Sequence, residues 1–185
     1  MCARLEDEGA SVVRVDLGGD TCLNVDISTP EGNQAMIGHA LARFGRVDFL
    51  VLNAGVQHVA PVDEFPAEQW DRLNDVMVKG PFLSMKYAWP ALADVSGRVV
   101  VVSSTSGIHA EPNKSAYCSA KAGVLGLVRS AALDGARRGI AVNAVAPGWM
   151  RTDIAVRQLR ARMEQEGTDE ATEMARMLER HPTPR

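Results

Sequence analysis

The chain has 185 residues, 46% of them hydrophobic and 23% charged, with a formal net charge of −3. This is the composition of a soluble globular protein of single-domain length, and the absence of a basic run excludes nucleic acid as the expected partner. Three cysteines (Cys2, Cys22 and Cys118) are odd in number and lack metal-ligand spacing, so they read as free thiols in a reducing, cytoplasmic setting with no metal site. No apolar run approaches the ~18 residues of a membrane span.

In chain order, Met1 is followed by "CARLEDEGA", which lacks a signal peptide's apolar core and reads as the tail of a helix entering a strand. Strands are predicted at 11–17 ("SVVRVDL") and 22–27 ("CLNVDI"). A helix follows over 30–44, opened by Thr29-Pro30-Glu31 and closed at Gly45. Then come a strand at 46–53, a helical pattern over 67–93, a strand at 98–104, a helix over 115–138 and a strand at 140–148. Several of these strands are almost continuously apolar, as expected when a parallel sheet is buried on both faces. Strand and helix alternating in this way predict βαβ units and a doubly wound, Rossmann-like α/β fold. After Thr152 the sequence becomes a charged helical region and ends in "HPTPR". No glycine-rich turn precedes Ser11, although such folds use one after their first strand to hold a pyrophosphate. The chain is therefore expected to begin one βα unit late.

The stretch "NKSAYCSAKAG" places Tyr117 and Lys121 one helical turn apart among small residues. A nearby ammonium favours phenolate over phenol, so the pair suggests a tyrosine usable as an acid or base near neutral pH. Standing alone, the pair is weak evidence, since such a spacing occurs by chance on many solvated helix faces. Its context adds weight. Strand 98–104 ends in Ser103-Ser104, strand 46–53 runs into Asn53-Ala54-Gly55, and strand 140–148 ends at Pro147-Gly148. Ligands of open α/β sheets bind outside the carboxyl ends of the strands.

Together these residues resemble the short-chain dehydrogenase/reductase family, from about residue 2 to the end of the chain. The matching positions are Asp16, Asp26-Ile27, Asn53-Ala54-Gly55, Ser104, Tyr117 with Lys121, and Pro147-Gly148 followed by Thr152. The resemblance implies that Tyr117 transfers a proton, Lys121 lowers its pKa and binds the nicotinamide ribose, and Ser104 holds the substrate oxygen. It also implies cofactor contacts from Asp16, Asp26, Ile27, Asn53, Ala54, Gly55, Pro147, Gly148, Met150 and Thr152. A carboxylate at Asp16 accepts hydrogen bonds from ribose hydroxyls and repels a 2′-phosphate, so NAD is the expected cofactor. The domain is expected to be a single, incomplete NAD-binding unit over 1–185, lacking the first strand with its glycine turn and the last strand. The region from about 149 to 185 would form a substrate lid.

"NAGVQHVAPVDEFP", "NKSAY" and "PGWMRTDIAVRQ" further resemble the (R)-3-hydroxybutyrate dehydrogenases of that family. By this likeness Gln57, Lys114 and Gln158 grip the carboxylate of a small hydroxy acid, and Trp149 packs on it. Two positions depart from the pattern. Ser106 stands where that subgroup usually has histidine, with His109 three residues on, and Met77 stands where the family usually has asparagine. The expected function is NAD-dependent interconversion of a 3-hydroxy acid and its 3-oxo acid, in a homotetramer when full length. A broader ketone or acyl reductase, or an inactive binding module, are the alternatives.

Overall fold

A computed structural model describes residues 1–20, 22–150 and 152–178. The chain divides into two compact units, Met1–Ala146 and Pro147–Arg185.

The first unit opens with a short helix, α1 (Cys2–Asp7), followed by two brief parallel strands, β1 (Val15–Asp16) and β2 (Leu23–Asn24). Next comes α2 (Pro30–Phe44), whose ends follow the sequence signals. The Thr29 hydroxyl accepts from the Gly32 amide at 3.1 Å, and Gly45 closes the helix in the left-handed region at φ 73°. Strand β3 (Phe49–Leu52) leads to α3 (Ala67–Asn74) and α4 (Gly80–Asp94). Strand β4 (Arg98–Val102), helix α5 (Ser115–Ala136) and strand β5 (Ala141–Val145) complete the unit.

Between α3 and α4 the helix loosens into a π turn over Asp75–Lys79. Pro81 has no amide hydrogen to donate to the Met77 carbonyl four residues back, so the regular ladder cannot pass this point unchanged. The widened turn carries Met77, which is 2% exposed.

The α/β class is as expected, with every strand pair parallel. The strands form two hydrogen-bonded groups, β1-β2 and β3-β4-β5. Strands predicted over six to nine residues are shorter, and β1 and β2 span two residues each. A strand needs ladder partners as well as apolar side chains, and among the described residues β1 pairs with β2 alone.

Register decides which face of the larger group is covered. Leu50 lies opposite Val99, Leu52 opposite Val101, and Val99 opposite Val142, and all five are buried. They form one core with Met36 and Ile37 of α2, Met85, Ala88 and Leu92 of α4, and Val124 and Val128 of α5. Val15, Leu23, Val25 and Ile27 pack against the same core, so the small sheet is joined to it by side chains. The opposite face of β3 carries Phe49 and Val51, which are exposed.

In the second unit, α6 (Asp153–Glu166) and α7 (Glu170–Leu178) are joined at Gly167, whose φ of 65° suits the turn between them. The Asp169 carboxylate caps α7 by accepting from the Thr172 amide at 2.7 Å, and hydrogen bonds from the Thr172 hydroxyl and amide hold its pKa below the usual range. Glu173 is fully buried and accepts hydrogen bonds from Thr168 (3.0 Å) and Arg176 (2.7 Å). Among the described residues no helix is long and apolar enough to cross a membrane.

Candidate functional site

The carboxyl end of β4 and the first two turns of α5 bring Ser104, Tyr117 and Lys121 together. A short 3-10 turn, Thr105–Gly107, reverses the chain after Ser104, and the Ser104 hydroxyl accepts from the Ser106 amide at 3.1 Å. Gly107 permits this turn to lie directly on α5. A Cβ there would fall 2.6 Å from the Lys121 carbonyl oxygen and 3.0 Å from the Ser103 hydroxyl. Ser103 itself is buried and donates to the Lys121 carbonyl at 2.8 Å, fastening the end of β4 to the helix.

Lys121 is 5% exposed, and its ammonium donates to the Val102 carbonyl at 2.8 Å. Burial penalises the charged form and brings its pKa from 10.5 down to about 8. The same ammonium lies 5.7 Å from the centroid of the Tyr117 ring. Gly55, in the loop after β3, closes the other side. A Cβ at Gly55 would lie 3.8 Å from the Lys121 nitrogen and 3.7 Å from the Met77 sulfur. The Met77 sulfur and the Lys121 nitrogen therefore both face Gly55, and a thioether at the position usually held by asparagine accepts hydrogen bonds only weakly.

The expected lowering of the tyrosine pKa is not found. Tyr117 is pushed above its ordinary value of 10, chiefly by burial; a hydrogen bond with Ser104 pulls it down and the Glu111 charge raises it again. The lysine's ammonium is tied to Val102 and lies against the ring, so the cost of burying a phenolate prevails.

Lys114 precedes α5 and is mostly buried. Its ammonium donates to the Glu111 carboxylate at 2.8 Å, and the other Glu111 oxygen accepts from the Ser106 hydroxyl. Ser106 thus holds Glu111 from the position where the subgroup usually has histidine, while His109 is exposed. The Ala60 amide donates to the Asn113 carbonyl at 3.0 Å, fastening the segment that carries Gln57 to the one that carries Lys114. Sequence reasoning misses Glu111. Its signal is its place three residues before Lys114, across a Pro-Asn turn.

The expected adenosine-side residues lie at the ends of β1 and β2. Asp16 is exposed, and its carboxylate accepts from the Leu17 amide at 2.7 Å. Asp26 accepts from the amide and hydroxyl of Ser28 (2.8 and 2.7 Å), which lowers its pKa. The Ile27 carbonyl accepts from the buried Asn33 amide group at 2.6 Å. Asn53 and Ala54 are exposed after β3. Pro147, Gly148, Trp149, Met150 and Thr152 belong to the second unit, where Thr152 opens α6 by accepting from the Val156 amide at 2.8 Å. Gln158 lies on α6, and its side chain is outside the described residues.

The family model for short chain dehydrogenases matches residues 1–163. The D-beta-hydroxybutyrate dehydrogenase of Cupriavidus necator is 36% identical over 160 residues, covering 85% of this chain and 62% of that protein. The uncharacterized oxidoreductase YxjF of Bacillus subtilis is 37% identical over 169 residues, covering 82% of this chain and 66% of that protein. This chain thus spans less than two thirds of the length of these relatives. Among solved structures, sorbitol-6-phosphate 2-dehydrogenase of Erwinia amylovora superposes with a TM-score of 0.92 at 25% identity, covering 98% of this chain and 79% of that one. NAD+-bound xylitol dehydrogenase superposes at 0.80 with 27% identity, covering 84% of this chain and 67% of that one. The buried lysine beneath a tyrosine, the serine at a strand end and the match along most of the sequence lead to one assignment: the chain belongs to the short-chain dehydrogenase family.

Proposed function

We propose that this protein is an NAD-dependent oxidoreductase that interconverts a secondary alcohol and a ketone on a small molecule. The observation that carries the reading is the cluster of Ser104, Tyr117 and buried Lys121 at the carboxyl end of β4. Gly55, whose missing side chain leaves the backbone bare beside the Lys121 nitrogen, is proposed to let the nicotinamide ribose approach there. Asp16, Asp26, Ile27, Asn53, Ala54, Gly55, Lys121, Pro147, Gly148, Met150 and Thr152 are proposed to hold the dinucleotide. Bound nicotinamide would supply or accept the hydride.

The protein's own residues handle the oxygen and its proton. Ser104 donates a hydrogen bond to the substrate oxygen as negative charge develops on it. Tyr117, protonated at neutral pH, delivers its proton to that oxygen during ketone reduction and takes it back during alcohol oxidation. Lys121, charged below about pH 8, stabilises the phenolate left behind. NAD is preferred over its 2′-phosphorylated form because the Asp16 carboxylate would repel that phosphate.

Two substrate readings follow. A 3-hydroxy acid is supported by Gln57, Lys114, Trp149 and Gln158 together with the hydroxybutyrate dehydrogenase relatives. An uncharged hydroxy compound is favoured by the ion pair that already occupies Lys114. The second unit is read as a substrate lid, and the full-length protein as a cytoplasmic homotetramer. The test is NADH consumption with acetoacetate and with its methyl ester, by the parent protein and by Tyr117→Phe. Turnover of either ketone that falls at least ~100-fold in the variant supports the reading. Equal rates in both proteins would overturn it.

A further inference from the structure

Glu111 is a charged group in contact with Lys114 that the proposed chemistry does not use. Its carboxylate meets the ammonium at 2.8 Å and also accepts from Ser106. The pair is mostly shielded, with side chains 15% and 29% exposed for Lys114 and Glu111. Glu111 also lies close enough to Tyr117 for its charge to be felt by the phenol. It is therefore a fixed negative charge beside the proton-transfer residue, on the same cation that a substrate carboxylate would need.

We propose that Glu111 is a specificity-determining residue that occupies Lys114 and turns the site against free carboxylates, toward uncharged hydroxy and keto compounds. The physical basis is direct competition. A substrate carboxylate bound at Lys114 must displace Glu111 or lie beside it as a second anion. The first course breaks a charge-assisted hydrogen bond in a shielded setting, and the second sets like charges in contact. An ester or a neutral ketone meets neither penalty. Ser106 is part of the device because its hydroxyl donates to Glu111 and holds the carboxylate toward Lys114. A histidine at that position could instead have offered a cation or a donor to the substrate.

The inference deepens the oxidoreductase reading, and its test includes a binding measurement that does not depend on turnover. Butyrate is the probe, titrated by calorimetry into the protein carrying NADH, with butyramide as the uncharged control. Glu111→Gln keeps the shape and the hydrogen-bonding capacity and removes the charge. It is expected to tighten butyrate at least about tenfold relative to butyramide, the scale of one charge-assisted bond. Adding Lys114→Met to that variant is expected to abolish the gain. In turnover, the acetoacetate to methyl acetoacetate ratio of kcat/KM is expected to rise by a similar factor in Glu111→Gln. A butyrate to butyramide preference unchanged within threefold, or moved toward butyramide, would overturn the proposal. The gain in butyrate binding without turnover of either ketone would sustain the role of Glu111 and sink the oxidoreductase reading.

Discussion

At the residue scale, burial in the free protein disfavours the charged form of both key ionisable groups, raising the Tyr117 pKa and lowering that of Lys121. The chain has two tyrosines, Tyr87 and Tyr117, so a single substitution separates their titrations. Ultraviolet titration of the free protein against Tyr117→Phe is expected to place Tyr117 ionisation above pH 10. Removing the neighbouring charge with Glu111→Gln is expected to move it downward, because that charge raises it. Lys121 has the opposite sign. Its folded pKa of about 8 lies below the unfolded value of 10.5, so the folded state releases this proton first. The burial penalty is fully present below about pH 8 and is relieved as pH rises toward 10.5. Lys121→Met should therefore gain most over the parent below pH 8, with the gap narrowing by at most about 1.4 kcal/mol per pH unit above it. Chemical denaturation at several pH values reads this slope, and a constant gap would show that the lysine is not desolvated.

At the element scale, the site depends on the 3-10 turn after β4 resting on α5. Gly107→Ala puts a methyl group 2.6 Å from the Lys121 carbonyl, a backbone atom that cannot step aside. The turn must move, and the Ser104 hydroxyl moves with it. The expected cost is about 1–3 kcal/mol of stability, together with a loss of turnover. Gly126, in the same helix, faces open space, and a Cβ added there would meet nothing within 4 Å. Gly126→Ala is expected to stabilise the protein by about 0.4–1 kcal/mol through helix propensity. Thermal melts of the two variants side by side separate the tight approach from the ordinary helix glycine.

At the scale of the whole molecule, the larger sheet is covered well on one face and poorly on the other. Phe49 and Val51 are 68% and 39% exposed on β3, and among the described residues that strand pairs with β4 alone. An apolar strand with one unpaired edge invites association with other chains. These 185 residues alone are expected to bind the dye ANS and to scatter light increasingly with protein concentration. Phe49→Lys with Val51→Thr is expected to reduce both signals. Dye binding that ignores these two substitutions would place the sticky surface elsewhere.

Local chemistry determined much of this protein from sequence alone. The Thr29 cap and Gly45 stop delimit α2 because both act within one turn, and the apolar runs mark the strands because burial requires them. The family motifs at Ser104, Tyr117 and Lys121 were legible for the same reason: their spacing is written along one strand end and one helix. Two things were decided only in the folded molecule. The direction of the Tyr117 shift depends on how deeply the phenol is buried and where the lysine's ammonium is tied. The capture of Lys114 by Glu111 depends on a turn and on Ser106 reaching back to hold the carboxylate. Electrostatics in a shielded site follow distance and burial, and the chain acquires both only when it folds.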